Sequence, residues 1–452
     1  MKQWKPESVA RTASAALIAG TDDAGGPEFV TIDSRQAGPG ALFVALPGEN
    51  VDGGEFAGAA LEAGAWGVLT TPGHAAILKD DPLGVVLTAD DPLKSLQMLA
   101  TAWRRELGAQ VIGVTGSTGK TSTKDLLLAV LAPHRRTVAS RANFNTEIGL
   151  PLEILNAPEG TEVLVLEMGM RGPGQIAELA EIARPDVGVI VSIGPVHLEL
   201  MGTIEAIAAT KAELIAALPA GGTAVVPAGE RLLESHLRAD VSTVTFGDGG
   251  DVHLVSAGAE GVEIDAAGER IRLEVPFTQA HLRANLLAAV AAARAVGVRP
   301  SGRVELALSA GRGQRRTLAN DVTIIDDCYN ANPISMRAAL DDLKATASAA
   351  QSPRRVAVLG DMLELGPQER EFHSQLGEEA AAAGVDVLVT VGPLAASISE
   401  HFGGEAHAVA DAREAAEVVP GLLSAGDVVL IKASRGVGLE LVCRALGARD
   451  DA

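Results

Sequence analysis

From residue 110 an apolar run, QVIGVT, gives way to the turn GSTG and then to KTSTKDLL, a helix-forming pattern. Thr115, Gly116, Ser117, Thr118, Gly119, Lys120, Thr121 and Ser122 combine glycines, hydroxyls and a lysine in one short turn. Glycines let successive amides close around an anionic oxygen, and a helix starting there adds the positive end of its dipole. Lys120 contributes a full cation, and the Thr121 hydroxyl is positioned to ligate Mg2+. These are the requirements for cradling the phosphates of a nucleotide. A strict GxxxxGK[ST] loop would need glycine where this chain has Val114, so the string present is T-G-x-x-G-K-T. The blander reading is a glycine-rich strand–helix turn with a surface lysine.

A metal beside such a loop needs acid. The run VLVLEMG ends in Glu167, and SIGPVHLELMGT places His197 and Glu199 at a neighbouring strand tip. Ligands gather beyond the carboxyl ends of strands in doubly wound sheets, so Glu167 and His197 are candidate metal ligands. Lys211, in AATKAELIAAL, reads by itself as a helix-surface lysine. Asn143 and Asn145, in RANFNTEIGLP, either close a turn or offer donors to the γ-phosphate and the substrate; composition leaves both open.

A second group lies near the C-terminus. IIDDCYNANP sets Asp326, Asp327, Tyr329, Asn330 and Asn332 at a strand end before a Pro-started helix. A turn with a helix cap would explain part of it, but so many hydrogen-bonding groups at one tip point to a binding wall. The strings VLGDMLELG and LIKASRG end strands in the same way, and Lys432 and Arg435 are candidates to meet an anionic ligand.

These residues need strands to hold them. FVTIDS, ALFVALPG, WGVLTT and GVVLTA are short strand-like runs separated by Gly, Pro and Asp, and DPLKSLQMLATAWRREL is a helix capped by Asp91. From residue 110 apolar strands alternate with Ala/Leu-rich helices, the pattern of a parallel sheet covered on both faces. Residues 241 to 280 read as strands joined by Gly turns, followed by a long helix from His281. VTIIDD, RRVAVLGDM, VDVLVTVG and DVVLIKAS repeat the α/β alternation. The expectation is an α/β protein of three domains. They are a small N-terminal α/β domain (1–88), a central phosphate-loop domain with a doubly wound, mostly parallel sheet (89–304), and a C-terminal Rossmann-like domain (305–452). The first 21 residues read as a short amphipathic helix.

With 452 residues, 47% of them apolar and 21% charged, the chain suits two or three folded cores rather than disorder. Aromatics make up only 3%, so those cores must be built from Ala, Val, Leu and Ile. A formal charge of −21 argues against nucleic acid or an anionic membrane as partner, though not against a nucleotide held by a local cluster. Cys328 and Cys443 fall in no metal-ligand spacing and offer no disulfide framework, which fits a reducing cytoplasm. No stretch approaches the ~20 apolar residues of a membrane span.

Over nearly its whole length the chain resembles the Mur ligase superfamily. The resemblance rests on TGSTGKTSTK, NFNTEIGLP, LEMGM, HLELMGT, DDCYNANP and LGDMLELG. NANP and MLELG point to the branch that joins D-alanyl-D-alanine to UDP-N-acetylmuramoyl-tripeptide, and the D-N-P-R string of the third-residue branch is absent. What this implies is ATP-driven amide formation through an acyl phosphate, with two Mg2+ ions, in a cytoplasmic monomer. By position, Lys120 and Thr121 would bind phosphate and metal, and Glu167 and His197 would hold the metals. Lys211 would be carbamylated, turning a cation into a metal ligand and overturning the surface reading. His281 and Asn285 would lie near the adenine. Arg312, Asp327, Tyr329 and Asn330 would reach nucleotide and substrate from the last domain, with Asn145, Asn332, Lys432 and Arg435 on the substrate side. Ser34 and Arg35 would contact the uridine diphosphate.

Two departures stand out. Gly54 occupies the place of a histidine usual in the family's first domain, and GRGQRR leaves Arg312, Arg315 and Arg316 competing for one role. Three rivals follow from the loop alone. One is a sister ligase, for the third residue or for folate polyglutamates. Another is a kinase or switch GTPase, although the guanine-reading N-K-x-D string is absent. The last is a nucleotide-binding protein without turnover.

Overall fold

The computed structural model describes residues 1–20, 25–48, 51–78, 83–141, 143–258 and 261–448. Glu49 and Asn50 of the string GENVDGGEF lie outside the described residues. The short apolar runs become three sheets, because strands buried on both faces can satisfy their backbone groups only by pairing with one another.

The first sheet orders its strands Ala16–Ala19, Val85–Thr88, Gly67–Thr70, Ala41–Val44 and Phe29–Thr31. All its pairings are parallel except the first. Here the sequence expectation needs correcting. The N-terminal helix spans only Pro6–Thr12, and Ser14 turns with φ 50° so that Ala16–Ala19 can join the sheet edge. Its ALIA run was too short and too Ala-rich to declare a strand by period.

Among the described residues the central sheet has ten strands. Its parallel part runs Thr223–Pro227, Val187–Ile190, Gln110–Thr115, Val163–Glu167 and Thr137–Ala139, with the phosphate-loop strand between its neighbours. Beyond Ser242–Phe246, the strands Val252–Gly258, Gly261–Ala266 and Glu269–Glu274 form an antiparallel extension. The helix Ala280–Ala295 packs against Lys120–Leu131 and covers this face. Six strands make the last sheet, in the order Gln314–Thr317, Thr323–Asp326, Val428–Lys432, Arg355–Gly360, Val387–Val391 and Glu405–Val409. Only the first pairing is antiparallel.

The helix Pro92–Leu107 joins the first two sheets. Asp91 caps it by accepting from the Lys94 amide at 2.9 Å, and Gly108 ends it in left-handed backbone, φ 63°. One apolar cluster runs from Leu42 and Leu69 of the first sheet, through Leu96, Leu99 and Trp103 of this helix, to Leu164 and Leu166 of the central sheet. The side chain of Asn156 clamps the backbone of Val30 with two hydrogen bonds of 2.9 Å. The last sheet instead packs around cores of its own. Its neighbour is reached through a polar connection: Asp125 accepts from the Ser309 amide at 2.9 Å and from its hydroxyl at 3.1 Å. Among the described residues no helix is long and apolar enough to cross a membrane.

Candidate active site

The strand Gln110–Thr115 lifts the loop to the carboxyl edge of the central sheet, and the helix Lys120–Leu131 starts from it. Gly119 sits in left-handed backbone, φ 78°, and a Cβ there would stand 2.7 Å from the Asn285 side-chain oxygen. The loop is braced by the adjacent strand end. Ser192 Oγ accepts from the Thr118 amide at 2.9 Å, and Ser117 Oγ donates to the Gly194 carbonyl at 3.0 Å. Lys120 folds its Nζ back onto the Gly116 carbonyl at 2.7 Å. Desolvation lowers the pKa of this ammonium from its ordinary value, Arg312 adds to the effect, and Glu167 opposes it.

Glu167 is buried at its strand end. Thr121 Oγ1 donates to one of its oxygens at 2.9 Å and Asn145 Nδ2 to the other, also at 2.9 Å. Asn145 is thereby joined to the metal candidates, whereas Asn143 stays exposed on its turn. His197 opens the short helix Leu198–Met201 with φ 54°. Burial lowers its pKa, Glu364 works against that, and the charges of Lys120 and Lys211 reinforce it.

Lys211 contradicts the surface reading: it is 1% exposed on the helix Ile204–Ala216. Burial drives its pKa well below the ordinary lysine value, and the nearby Lys120 charge adds to this. Among the described residues no carboxylate lies within 4.0 Å of its ammonium nitrogen. Burial of this kind favours the neutral form of an amine.

Facing the loop, the last sheet closes a cavity of about 170 Å³. Its walls include Lys120, Thr121, His281 and Asn285 on one side, and Arg312, Asp327, Asn330 and Lys432 on the other. Arg312 is the arginine of GRGQRR that lines it. Its guanidinium lies 4.0 Å from the centroid of the Tyr329 ring, and that of Arg435 lies 5.5 Å away. Arg315 is engaged by Asp342 at 2.5 Å and Thr346 at 2.7 Å, while Arg316 is exposed. A larger open groove of about 800 Å³, bordered by Glu263, Arg272 and Arg303 at the antiparallel extension, carries no phosphate loop.

Several expected substrate contacts are already committed within the fold. Lys432 Nζ donates to Asp327 at 2.6 Å and to the Asn330 carbonyl at 2.9 Å, so its charge holds the wall together. Asn332 caps the helix Pro333–Ala350 in a reciprocal box with Ser335, at 3.0 Å in each direction. In the first sheet, Arg35 wraps its guanidinium around Asp33 at 2.9 and 2.7 Å, next to Ser34 in the same turn. Asp52 accepts from the Gly54 amide at 2.8 Å. The ring of His74, 3.0 Å from Asp52, fills the space that a side chain at Gly54 would need. Cys328 and Cys443, remote in sequence, meet Asp326 in the last core with ligand atoms within 4.8 Å of one another. Their sequence spacing, which matches no metal-ligand pattern, gave no sign of this proximity.

Sequence reasoning missed Ser192, Gln279, Asp342 and Glu364. The first braces the loop, the next two line the cavity, and Glu364 meets His197. Only Glu364 carried a signal, through the string MLELG, and nothing in that string says what its acid touches.

A phosphate loop at the edge of a central sheet, faced by a second α/β wall carrying stacked arginines, defines a phosphate-loop α/β enzyme working between domains. The chain matches the descriptions "Mur ligase family, catalytic domain" over residues 27–93, "Mur ligase middle domain" over 114–293 and "Mur ligase, glutamate ligase domain" over 311–435. The chain belongs to the Mur ligase family. It is 37% identical to the UDP-N-acetylmuramoyl-tripeptide–D-alanyl-D-alanine ligase of Bacillus subtilis, with 92% of each chain covered. With the enzyme of that name from Mycobacterium tuberculosis it shares 39% identity, covering 93% of this chain and 92% of the other. The fold superposes on MurF from Acinetobacter baumannii with a TM-score of 0.85, 27% identity and 99% of each chain. For MurF ligase from Thermotoga maritima in complex with ADP, the TM-score is 0.78 and identity 31%, over 93% of this chain and 97% of that one.

Proposed function

We infer that this chain is an ATP-dependent ligase that joins D-alanyl-D-alanine to the C-terminal carboxylate of UDP-N-acetylmuramoyl-tripeptide, giving ADP and phosphate. The observation that carries this reading is the cavity between the Lys120 loop and the Asp327–Asn330 wall, in a chain alike throughout to relatives of that name. The γ-phosphoryl group passes to the tripeptide carboxylate, the resulting acyl phosphate is attacked by the dipeptide amine, and phosphate leaves. Every reactant is anionic, so the residues work mainly by neutralising charge and aligning atoms. Lys120 and the loop amides hold the phosphates, and Arg312 approaches from the opposite wall. We assign the adenosine to His281 and Asn285, which line the cavity beside the loop on the helix Ala280–Ala295. Closing the two walls excludes water, which would otherwise hydrolyse the acyl phosphate.

The donor set fits Mg2+. The Glu167 carboxylate and Thr121 hydroxyl are hard oxygen donors already hydrogen-bonded to each other. As an ammonium Lys211 would repel a cation, but a buried neutral amine is the form that takes up carbon dioxide. The carbamate would complete the set with His197. Bound there, Mg2+ would neutralise charge developing on the phosphate oxygens. We assign residues 1–88 to the uridine diphosphate end through Ser34 and Arg35, 89–304 to ATP, and 305–452 to the second wall and the dipeptide. The chain acts in the cytoplasm as a monomer. Mass spectrometry of a reaction containing both substrates and ATP tests the reading. An amide-linked pentapeptide is expected in step with ADP, and ADP without that product would contradict it.

A further inference from the structure

Two non-glycine residues hold left-handed backbone where the loop after strand Arg355–Gly360 meets the loop after strand Val187–Ile190: His197, with φ 54°, and Glu364, with φ 62°. Such backbone is strained for a residue with a Cβ and persists only where its surroundings hold it. Here each holds the other. The Glu364 carboxylate is hydrogen-bonded to His197 Nδ1, and the Glu364 carbonyl accepts from the Glu199 amide at 3.3 Å. Gly366 permits this approach, because a Cβ there would stand 3.2 Å from the Glu199 backbone. The Arg171 guanidinium lies 3.9 Å from the second carboxylate oxygen. His197 and Arg171 lie in loops of the central sheet and Glu199 in the short helix Leu198–Met201, whereas Glu364 and Gly366 follow the strand Arg355–Gly360 of the last sheet.

The loop that brings Glu364 is itself fixed. His373 Nε2 accepts from the Met362 amide at 2.9 Å, and Ser434 Oγ accepts from the Leu363 amide at 2.9 Å. With Nδ1–H donating to the carboxylate, Nε2 keeps its lone pair free for a metal. A metal-ligating histidine is generally oriented in just this way, by a carboxylate on its other nitrogen.

We propose that Glu364 is a positioning residue that fixes the His197 imidazole for metal binding, so that the metal site is complete only when the last sheet's loop is seated on the central sheet. This rests on the reading of His197 as a metal ligand, and adds that metal affinity and domain closure are linked. Linkage is reciprocal, so the metal in turn favours the seated arrangement.

The test is Mn2+ binding to the intact chain in the presence of ADP, followed by electron paramagnetic resonance, with the radius of gyration measured by small-angle scattering. Glu364→Ala should weaken Mn2+ binding by roughly 10–100-fold, the usual cost of removing a partner behind a metal-bound histidine. It should also enlarge the radius of gyration. Glu364→Gln, whose amide oxygen still accepts from Nδ1, should retain most of the affinity. His197→Ala should weaken binding, and adding Glu364→Ala to it should cost nothing more. Wild-type affinity in Glu364→Ala, or additive losses in the double variant, overturns the coupling while leaving the ligand role of His197 intact. Undiminished Mn2+ affinity in His197→Ala removes the ligand reading, and the coupling with it.

Discussion

Lys120 and Lys211 set one residue type in two different surroundings, the first turned onto its own loop and the second 1% exposed within a helix. Lys120 keeps its Nζ on the loop carbonyl of Gly116, 2.7 Å away, where a phosphate oxygen would replace that acceptor. Lys120→Ala should lower kcat by about 10²–10³, the cost of one preorganised donor, as read by steady-state ADP release. Near-wild-type turnover would remove the phosphate-loop assignment. Lys211→Ala should be inactive, with partial recovery when a small carboxylate is added to the assay; full activity without it would refute the carbamate. The setting of Lys120 was legible, because the strand, the glycine turn and the helix that starts at the lysine stand in the sequence as they do in the fold. That of Lys211 was not. Its helix, IEAIAATKAELIA, is apolar around so much of its circumference that the pattern names no exposed face, and Lys211 lies among the buried positions. At Lys432 the sequence offered an anion-binding candidate and left its structural partners unseen. Its partner Asp327 directly follows the strand Thr323–Asp326, which pairs with the strand that Lys432 ends, a neighbour that sequence distance conceals.

At the scale of elements, strands with continuous β-branched runs were readable because they are buried on both faces. The edge strand Ala16–Ala19 was not, since half-exposed Ala carries little β signal. Asn332 combines both readings of its turn: it caps a helix and also lines the cavity. His373, within the helix Glu369–Ala382, gives this level a pH signature. It is fully buried, its Nδ1 donates to the Glu369 carbonyl at 2.6 Å, and its Nε2 accepts from Met362. Burial holds its pKa below the ordinary 6.5, against the opposing pull of the Glu369 carbonyl bond and the Asp361 charge. The folded state therefore keeps the ring neutral where the unfolded chain takes up a proton. The stability this contributes is whole above pH 6.5 and is lost as pH falls from there through the depressed folded value. Urea unfolding from about pH 7.5 down to about pH 5 should show that loss, with a shallower slope in His373→Gln. Equal slopes would contradict it.

Across the whole molecule the three sheets are joined unequally. The first and central sheets share an apolar core through Leu96, Leu99 and Trp103. The last sheet has cores of its own and meets the central one through polar contacts at Glu364 and at Ser309 and across the cavity beside the loop. A seam of that kind opens at low cost, which suits a site that must admit two substrates and then exclude water. The sequence showed three α/β blocks, but the unequal joining was hidden, because it depends on which helix faces meet rather than on any local pattern. The most direct test of the whole account is phosphate release from ATP with UDP-N-acetylmuramoyl-tripeptide, measured with and without D-alanyl-D-alanine. Sustained release is expected only when the dipeptide is present, with a single amino acid unable to replace it. Equal release without the dipeptide, or with a single amino acid in its place, would contradict it.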